Sequence, residues 1–400
     1  MNRRAFWIAG LLVLALTGCD ALLTETPDGA DALDGPLPGL TDAQLRMFLE
    51  GDEAFEEAFT PQTGLGPVFN HVSCGGCHPG DGRGTPDEIL VRFSRGDDLL
   101  LDLGGPQQQD KAIPGAEPEV IPEGAQTSPR LPPPVFGRGL IEAIPEETIL
   151  AGEDPDDEDG DGVSGRANLV RSPPWVPVSE PGGGSGLHVG RFGLKANVAS
   201  LLEQVAGAYQ QDMGITSDFL PDEPGAFQAG GVGVGDPAPD PELPAQRVRQ
   251  TAMYVRLLAP PAQGERTAQV VAGEALFENA NCDGCHTPVM RTGPHPIDAL
   301  ADKDVFLYSD LLLHDMGEGL ADFRPDGAAT GREWKTPPLW GLRVAADFIG
   351  GEVFYLHDGR TTSLDEAIRA HGGEAQASAD AYTAMSVEDQ AALRAFVLSL

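Results

Sequence analysis

Basic residues are scarce in this 400-residue chain. There are 26 lysines and arginines against 62 acidic residues, which gives a net charge of −36 at pH 7. A nucleic-acid-binding protein needs a basic surface to displace phosphate counterions, so that class is excluded. The acidic balance instead favours a partner or substrate that is cationic or neutral.

Two other patterns are missing. Glycine and proline are abundant, at 51 and 35 residues, but no Gly-X-Y period accompanies them, which excludes a collagen-like fibre and indicates long ordered loops. The N-terminal apolar run, Ala5 to Leu16, is shorter than the roughly 20 residues that span a bilayer. Hydrophobic residues still make up 41% of the chain, enough for a globular protein of two or three domains.

The N-terminus has the layout of an export signal. Two arginines precede the apolar run, and Leu-Thr-Gly then leads directly to Cys19. This order resembles the bacterial lipoprotein processing site, where cleavage leaves an acylated cysteine that holds the protein at a membrane. We therefore expect a lipoprotein signal peptide at 1–18, lipidation of Cys19 and a flexible tether at 19–43. The protein would then face the periplasm from the inner or the outer membrane.

The other four cysteines form two copies of Cys-x-x-Cys-His, at residues 74–78 and 282–286. Two thiols one helical turn apart can form thioethers to one porphyrin, and the following histidine then lies under the iron. The alternatives are a zinc site or a redox dithiol, but neither requires histidine after both second cysteines. The motifs predict two covalently bound c-type haems. The residues that hold them are Cys74, Cys77, His78, Cys282, Cys285 and His286.

Helical patterns close both halves of the chain. One runs from Ala245 to Leu258, and the other from Ser386, a candidate N-cap, to Leu400. Phe69 and Phe277 each lie five residues before a motif and suggest an internal repeat.

These patterns predict a mainly α protein with two cytochrome-c-like haem domains and long Pro/Gly-rich loops. We place the N-terminal haem domain, with its insertions, at 44–259 and the C-terminal haem domain at 260–400.

Among the remaining histidines, His371 is the best placed as a second iron ligand. Ser363 to Glu366 matches a capping box, and two glycines after His371 provide a stop. Leu364, Ala367 and His371 fall on one face of the short helix between them, so the imidazole is expected to point inward. The same pattern also fits a core histidine that is bonded to backbone.

Four further segments resemble the bacterial di-haem oxidoreductase family, which is related to the di-haem cytochrome c peroxidases. They are residues 64–70, 308–317, 336–342 and 356–360. In those peroxidases a His-(Ser/Asp)-Gly motif precedes the distal ligand of the electron-entry haem by fourteen residues. Here the motif starts at His357, which the resemblance places beside the haem, and His371 follows where the peroxidases have methionine. The resemblance thus implies ligation by His286 and His371, at a lowered potential; His314 and Met316 are the alternatives.

The N-terminal haem departs from the family pattern. The peroxidases take a removable distal histidine from a loop soon after the first motif, but no histidine lies between His78 and His188. Either His188 or Met213 reaches the iron, or the position is open, as peroxide activation requires. Leu194 replaces the tryptophan that relays oxidising equivalents between the haems. Trp175 and Trp340 are candidate substitutes.

Two carboxylate motifs complete the candidate sites. Asp212 precedes Met-Gly, as the distal-pocket acid of the peroxidases does, and the resemblance implies an acid/base role for it. Taken alone, Asp212 fits a surface or capping carboxylate. Asp157, Asp159 and Asp161 match the D-x-D-x-D-G pattern of calcium loops, although Asn168 replaces the usual glutamate at the twelfth position. A solvated acidic loop without calcium fits equally well.

Two functions are therefore open. The first is an exported, lipid-anchored di-haem oxidoreductase that takes electrons at the C-terminal haem and reduces peroxide, or oxidises a substrate, at the N-terminal haem. The second is a di-haem electron carrier without catalytic turnover, favoured by Leu194 and by histidine ligation at His371. In both, the redox partner is expected to be a small basic protein such as a cytochrome c.

The charge balance predicts salt-dependent docking. Electron-transfer rates with a basic redox partner should fall steeply as salt is raised, because screening weakens the attraction between oppositely charged surfaces. Stopped-flow rates measured over a range of ionic strength test this, and a flat dependence would contradict it.

Overall fold

A computed structural model describes residues 33–225 and 235–400 of the chain. The expected signal peptide, Cys19 and most of the expected tether lie outside the described residues, so these predictions stay open. No helix within the two described ranges is both long and apolar enough to cross a membrane.

The described chain is rich in helices and has few, short strands, which is compatible with the predicted mainly α fold class; the two cytochrome-c-like domains stay a prediction. Its helices are α1 (Asp42–Glu56), α2 (Cys74–Cys77), α3 (Arg138–Glu142), α4 (Glu146–Leu150), α5 (Leu201–Met213), α6 (Ala245–Leu257), α7 (Ala268–Asn279), α8 (Ala345–Phe348), α9 (Leu364–Arg369), α10 (Gln376–Ala384) and α11 (Val387–Val397). Short 3₁₀ turns and irregular segments connect them.

The strands in the described ranges are short and pair antiparallel, two by two. They are β1 (Val68–Phe69), β2 (Leu90–Ser94), β3 (Lys111–Ala112), β4 (Gln126–Arg130), β5 (Leu169–Val170), β6 (His188–Val189), β7 (Met290–Arg291), β8 (Asp304–Val305), β9 (Leu313–Asp315) and β10 (Glu333–Lys335). The pairs are β1–β3, β2–β4, β5–β6, β7–β8 and β9–β10. In β2–β4, Leu90 lies opposite Arg130, and in β9–β10, His314 lies opposite Trp334.

The two helices predicted from periodicity are present. The first is α6, and the second is α11, where the Ser386 hydroxyl accepts a hydrogen bond from the Asp389 amide at 3.1 Å. That bond satisfies one of the free amide donors at the helix start, as the predicted N-cap requires.

Two helix pairs cross at glycines. In the pair α1–α6, a Cβ on Gly51 would lie 2.4 Å from the Gln250 carbonyl oxygen, and in the pair α7–α11, a Cβ on Gly273 would lie 2.0 Å from the Ala392 carbonyl oxygen. These distances are shorter than any van der Waals contact. Only glycine therefore permits the backbones to approach this closely at both crossings.

The structural repeat differs from the one expected from Phe69 and Phe277. Four residues after each crossing glycine comes a buried phenylalanine, Phe55 in α1 and Phe277 in α7. Their ring centroids lie 6.3 Å and 6.2 Å from the imidazoles of the two Cys-x-x-Cys-His motifs. Phe69 instead belongs to β1. The repeat is thus Gly-x-x-x-Phe, and an insertion of irregular chain and β1 separates α1 from its motif.

The largest hydrophobic cluster joins residues from both sides of position 260. It includes Ile141 and Leu257 from the N-terminal side and Leu307 and Leu312 from the C-terminal side. A second cluster packs α5 against α6, and a third packs α7 against α11. The domain boundaries at 44–259 and 260–400 stay a prediction.

The helix crossing predicts the effect of one methyl group. Gly273→Ala should destabilise the protein by about 1–3 kcal/mol, because the added carbon meets backbone that cannot move aside alone. Gly207→Ala is the matched control: it lies in the interior of α5 with its nearest added contact at 3.9 Å, and should be stabilising by about 0.5–1 kcal/mol. Denaturant unfolding measures both, and equal effects would refute the packing argument.

Candidate functional site

The first Cys-x-x-Cys-His motif forms one helical turn. Ser73 caps α2 by accepting a hydrogen bond from the Gly76 amide at 3.1 Å, and Cys77 is buried. The next residue, His78, leaves the helical conformation and is partly buried; burial lowers its pKa to about 4. A neutral imidazole is the form that binds a metal, so His78 suits the role of an iron ligand.

His71 also lies against this motif, which the sequence did not indicate. Its ring occupies the space that a Cβ on Gly76 would fill, with the nearest ring atom 1.7 Å from that position. The Nδ1 atom of His71 is buried and has no hydrogen-bond partner among the described residues. Burial lowers the pKa of His71 as well. The only signal in the sequence is its position seven residues before His78.

The structure brings Asp212 to the first motif. Burial raises the pKa of both motif thiols, and the Asp212 carboxylate adds to that shift. Gln107 donates a hydrogen bond to Asp212 Oδ1 at 2.6 Å. Burial raises the pKa of Asp212 itself to about 6, against the lowering effects of Gln107 and Arg92. A carboxyl group with such a pKa can both accept and release a proton near neutral pH.

Backbone contacts hold this carboxylate in place. The Asp212 carbonyl accepts hydrogen bonds from the amides of Asn70 and His71, at 2.7 Å and 3.0 Å. The end of α5 is thereby fastened to the segment that leads into the first motif. Gln107 acts as a positioning residue for the side chain, and no motif in the sequence indicated it.

Met213 and His188 are the two candidate ligands of the first haem that the sequence suggested. Met213 is buried in the cluster between α5 and α6, with Phe59 and Leu65. His188, in β6, pairs through Nδ1 with Glu146 Oε1 at 3.2 Å.

The second motif is a 3₁₀ turn, Cys282–Gly284, followed by Cys285 and His286. The Nδ1 of His286 lies 2.9 Å from the Tyr308 carbonyl oxygen, so its hydrogen points there and the Nε2 lone pair is left free. Burial lowers the pKa of His286 to about 4, and the nearby His371 contributes to the lowering. Metal-binding histidines in proteins typically donate their second ring nitrogen in this way.

His371 has the same arrangement. Its Nδ1 lies 2.8 Å from the Ala367 carbonyl oxygen, which again leaves Nε2 free, and burial lowers its pKa. His286 and His371 are therefore two neighbouring, neutral imidazoles, each with one unused nitrogen. These two histidines would be the residues that hold the iron of the C-terminal haem.

The helix before His371 differs in detail from the expectation. Ser363 accepts the predicted hydrogen bond from the Glu366 amide at 3.2 Å, but the Glu366 carboxylate accepts a bond from the Thr361 hydroxyl at 2.6 Å. Only half of the capping box therefore forms. α9 ends at Arg369, and His371 follows on the turn beyond it.

His314 has no free nitrogen for iron. Its Nε2 lies 2.7 Å from Asp310 Oδ2, and its Nδ1 lies 2.9 Å from Glu374 Oε2. Burial acts to lower the pKa of His314, but the bonds to Asp310, Cys285 and Glu374 outweigh it and hold the pKa well above 6.5. Burial likewise acts to raise the pKa of Glu374, yet His314 holds it at about 2. His314 is thus a buried cation clamped by two carboxylates beside Cys285.

His357 lies in an aromatic stack that the sequence did not reveal. Its ring is stacked on Trp334 with centroids 3.8 Å apart, and the Lys195 ammonium lies 4.5 Å from the same Trp334 ring. The carbonyl of Leu194 accepts a hydrogen bond from the Lys335 amide, which puts Trp334 next to the position of the missing tryptophan. These contacts join four segments that are distant in the sequence.

The two tryptophans proposed as substitutes lie elsewhere. Trp175 packs on Phe219, with ring centroids 5.1 Å apart, and Trp340 lies against Gly137.

The acidic loop groups its carboxylates differently from the calcium pattern. Asp154, Asp157 and Asp159 bring one oxygen each within 4.8 Å of the others. Asp161 instead accepts a hydrogen bond from Asn281 Nδ2 at 3.3 Å, next to the second motif. Asn168 is fully buried, and its Nδ2 donates to the carbonyls of Lys195 and Asp326, so the twelfth position is not turned to the loop. A pocket of about 100 Å³ lies between this loop, Asp310 and His314.

The thiols are unlike those of a redox dithiol. Burial raises the pKa of all four motif cysteines, and that of Cys77 and Cys282 to about 12. A redox dithiol needs a lowered pKa. Within residues 33–225 and 235–400, no potential metal-binding cluster contains a cysteine. The neutral histidines and the protonated thiols are compatible with haem attachment.

Comparisons with known proteins bear on this site. The sequence model of the family described as "Di-haem oxidoreductase, putative peroxidase" matches residues 16–95 and 119–400. A structure of Kuenenia stuttgartiensis hydrazine synthase is 15% identical, covers 99% of this chain and 100% of its own, and has a TM-score of 0.40. A MauG-like protein associated with microbial copper homeostasis is 15% identical over 91% of this chain and 92% of its own, with a TM-score of 0.38. No curated protein matches the chain.

The His314 clamp predicts a pH-dependent stability. A raised folded-state pKa stabilises the protein fully below the unfolded value of about 6.5, and that contribution is lost as pH rises toward the folded-state value. The native protein should have a larger free energy of unfolding than His314→Gln at pH 7, and this difference should decrease between pH 7 and 9 by up to roughly 1.4 kcal/mol per pH unit. Urea unfolding at several pH values measures it. A difference that stays constant over this range would contradict the clamp.

Proposed function

The chain belongs to the di-haem oxidoreductase family, and from that membership we propose that it is an exported, lipid-anchored enzyme with two covalently attached c-type haems. A di-haem redox function and the oxidoreductase class follow from the family itself. The proposal adds that electrons enter at the C-terminal haem and that peroxide is reduced, or another substrate oxidised, at the N-terminal haem.

The His286–His371 pair is the observation that supports electron entry at the C-terminal haem and substrate chemistry at the N-terminal haem. Two neutral imidazoles with their Nδ1 atoms on backbone carbonyls support six-coordinate iron at the C-terminal haem. Iron with two fixed ligands exchanges electrons without binding substrate, which suits the entry point. Such ligation also lowers the potential relative to methionine.

When the haems are bound, their irons supply the redox chemistry, and residues of the protein carry out the proton transfers. Asp212 is held beside the first motif by Gln107, with a pKa of about 6. In its ionised form it takes a proton from one oxygen of peroxide and delivers it to the other, the leaving oxygen. Burial raises the pKa of Asp212 to about 6, so that both its protonated and its ionised form are accessible near neutral pH.

The second candidate function is a di-haem electron carrier without turnover. His71 favours it, because its half-buried imidazole lies against the first motif, has no hydrogen-bond partner for Nδ1 among the described residues, and could supply a sixth ligand. Leu194, in place of a relay tryptophan, favours it as well. In a carrier both irons are six-coordinate and Asp212 has no chemical role.

The remaining features belong to the setting of the enzyme. We place it in the cell envelope, anchored through Cys19 to a membrane and facing the periplasm, with a small basic redox protein as electron donor or acceptor. Asp154, Asp157 and Asp159 are a candidate calcium site, with Asp161 at its edge beside the second motif. Calcium there would be structural, since no acid/base group of the proposed reaction touches it.

His371→Gly tests the electron-entry haem. Loss of the imidazole should convert that haem from low to high spin and leave the other haem unchanged, because a glycine supplies no ligand. Electron paramagnetic resonance and absorption spectra measure it. His314→Gln is the matched control and should leave both haems unaltered. If instead only His314→Gln changes the spectrum, His314 is the ligand and the assignment is wrong.

Asp212→Asn tests the enzyme itself. The variant should lose roughly 10²–10⁴-fold in kcat for peroxide reduction, because its amide cannot relay a proton. The native rate should rise as pH passes about 6, where the carboxylate forms, and the variant should lack this rise. Asp110→Asn removes an exposed charge close to the same motif and should retain activity. Native-like turnover in Asp212→Asn would overturn the role.

A further inference from the structure

Three arginines converge on one carboxylate in the interior of this acidic protein. We call Arg92, Arg130 and Arg324 the arginine cluster. They lie 3.7 Å, 2.9 Å and 3.0 Å from the same oxygen, Asp326 Oδ2. Although burial acts to raise it, the three guanidinium groups hold the pKa of Asp326 at about 2.

The β2–β4 hairpin builds two sides of the cluster. Arg92 lies opposite Ser128, two residues from Arg130, so both arginines project from one face of the pair. Arg324 reaches the same face from the loop before β10, where its amide is bonded to Asp322 at 3.0 Å. The cluster is thus built from three separate parts of the chain.

The cluster has more donors than the protein satisfies. Arg324 is 0% exposed and Arg130 is 6% exposed. Four guanidinium nitrogens of the arginine cluster are buried and have no hydrogen-bond partner among the described residues. They are Arg92 Nε, Arg130 Nη2, Arg324 Nε and Arg324 Nη2. Leaving charged donors buried and unpaired is costly, so such sets are uncommon in folded proteins.

Neighbouring charges do not balance the cluster. Asp322 binds the Lys195 ammonium at 2.7 Å, so its charge is matched by a fourth cation. Arg130 and Lys195, with pKa values lowered by burial to about 10 and about 8, remain protonated at pH 7. Four cations therefore share two carboxylates, in a chain whose net charge is −36. This local excess of positive charge calls for an anion.

The cluster lies between two features of the redox site. On one side, Arg92 Nη1 donates to the Gln211 side chain at 3.5 Å, next to Asp212 at the first motif. On the other side, the Arg130 guanidinium lies 5.9 Å from the ring of Trp334, which stacks on His357. The arginine cluster thus adjoins both the segment that bears Asp212 and the aromatic stack.

We propose that the arginine cluster is a binding site for the carboxylate group of a ligand, which accepts hydrogen bonds from the four unpartnered guanidinium nitrogens. Guanidinium groups match a carboxylate in charge and in planar, bidentate geometry. The carboxylate has two sources: a propionate side chain of a haem held by the motifs, or a free organic carboxylate that serves as substrate. The first source rests on the proposed function, and the second does not.

Two variants and a control test the proposal in the haem-loaded full chain. Arg324→Met removes the most buried member, and Arg92→Gln removes the member nearest the surface, which is the safer substitution for folding. Arg291→Met is the control, since Arg291 is exposed and pairs only with the exposed Asp304 among the described residues. The readouts are haem content, the midpoint potential of each haem, and calorimetric titration with succinate at constant ionic strength.

The two sources give different results. If a haem propionate occupies the site, both variants lower the midpoint potential of one haem, because a positive charge that favours the reduced state is lost, and native protein does not bind succinate. If a free carboxylate occupies it, native protein binds succinate, both variants weaken binding roughly tenfold or more, and the potentials stay unchanged. The control matches native protein in each case.

A third result overturns the proposal. If native protein binds no succinate and both variants keep native potentials, the arginine cluster receives no carboxylate. Haem content tests the proposed function separately from the arginine cluster. Protein that carries no haem refutes the proposed function, and the succinate titration still tests whether the arginine cluster binds a carboxylate.

Discussion

Burial of neutral imidazoles is the constraint on which the rest of the site depends. His78 and His286 follow their motifs into the interior, where desolvation removes their charge. Backbone carbonyls then take one nitrogen each of His286 and His371 and leave the other free. The free nitrogen of each ring is available to a metal, and under the proposed function the iron of a haem at the second motif is that metal. The helix crossings at Gly51 and Gly273 serve the same end, because each brings a phenylalanine against a motif histidine.

Electrostatics divides the molecule into unlike regions. The overall charge is strongly negative, yet the interior contains a clamped imidazolium at His314 and an excess of guanidinium groups around Asp326. The first is balanced within the chain, since two carboxylates hold one cation. The second is not balanced within the chain, which is the basis for the proposed carboxylate ligand. The proposed partners differ accordingly: a basic redox protein for the acidic surface and a carboxylate for the arginine cluster.

The sequence predicted those parts of the site that depend on residues close together in the chain, and missed those that depend on contacts between distant segments. The motifs, helices α6 and α11 and the inward position of His371 all depend on residues close in the chain, so spacing revealed them. His71, Gln107, the Trp334–His357 stack and the arginine cluster depend on strand pairing and on contacts between distant segments, which no spacing encodes. The Gly-x-x-x-Phe repeat was visible in the sequence, but Phe69 was matched to Phe277 because both lie five residues before a cysteine. Three-dimensional equivalence follows Phe55 instead.

An electron paramagnetic resonance spectrum of the resting ferric protein, repeated after partial reduction, tests the proposed function most directly. The enzyme should give one low-spin signal, from the haem between His286 and His371, and one high-spin signal, from an N-terminal haem with an open iron position. Two low-spin signals that persist after partial reduction would contradict it. In that case no iron is left for substrate, and the protein is an electron carrier.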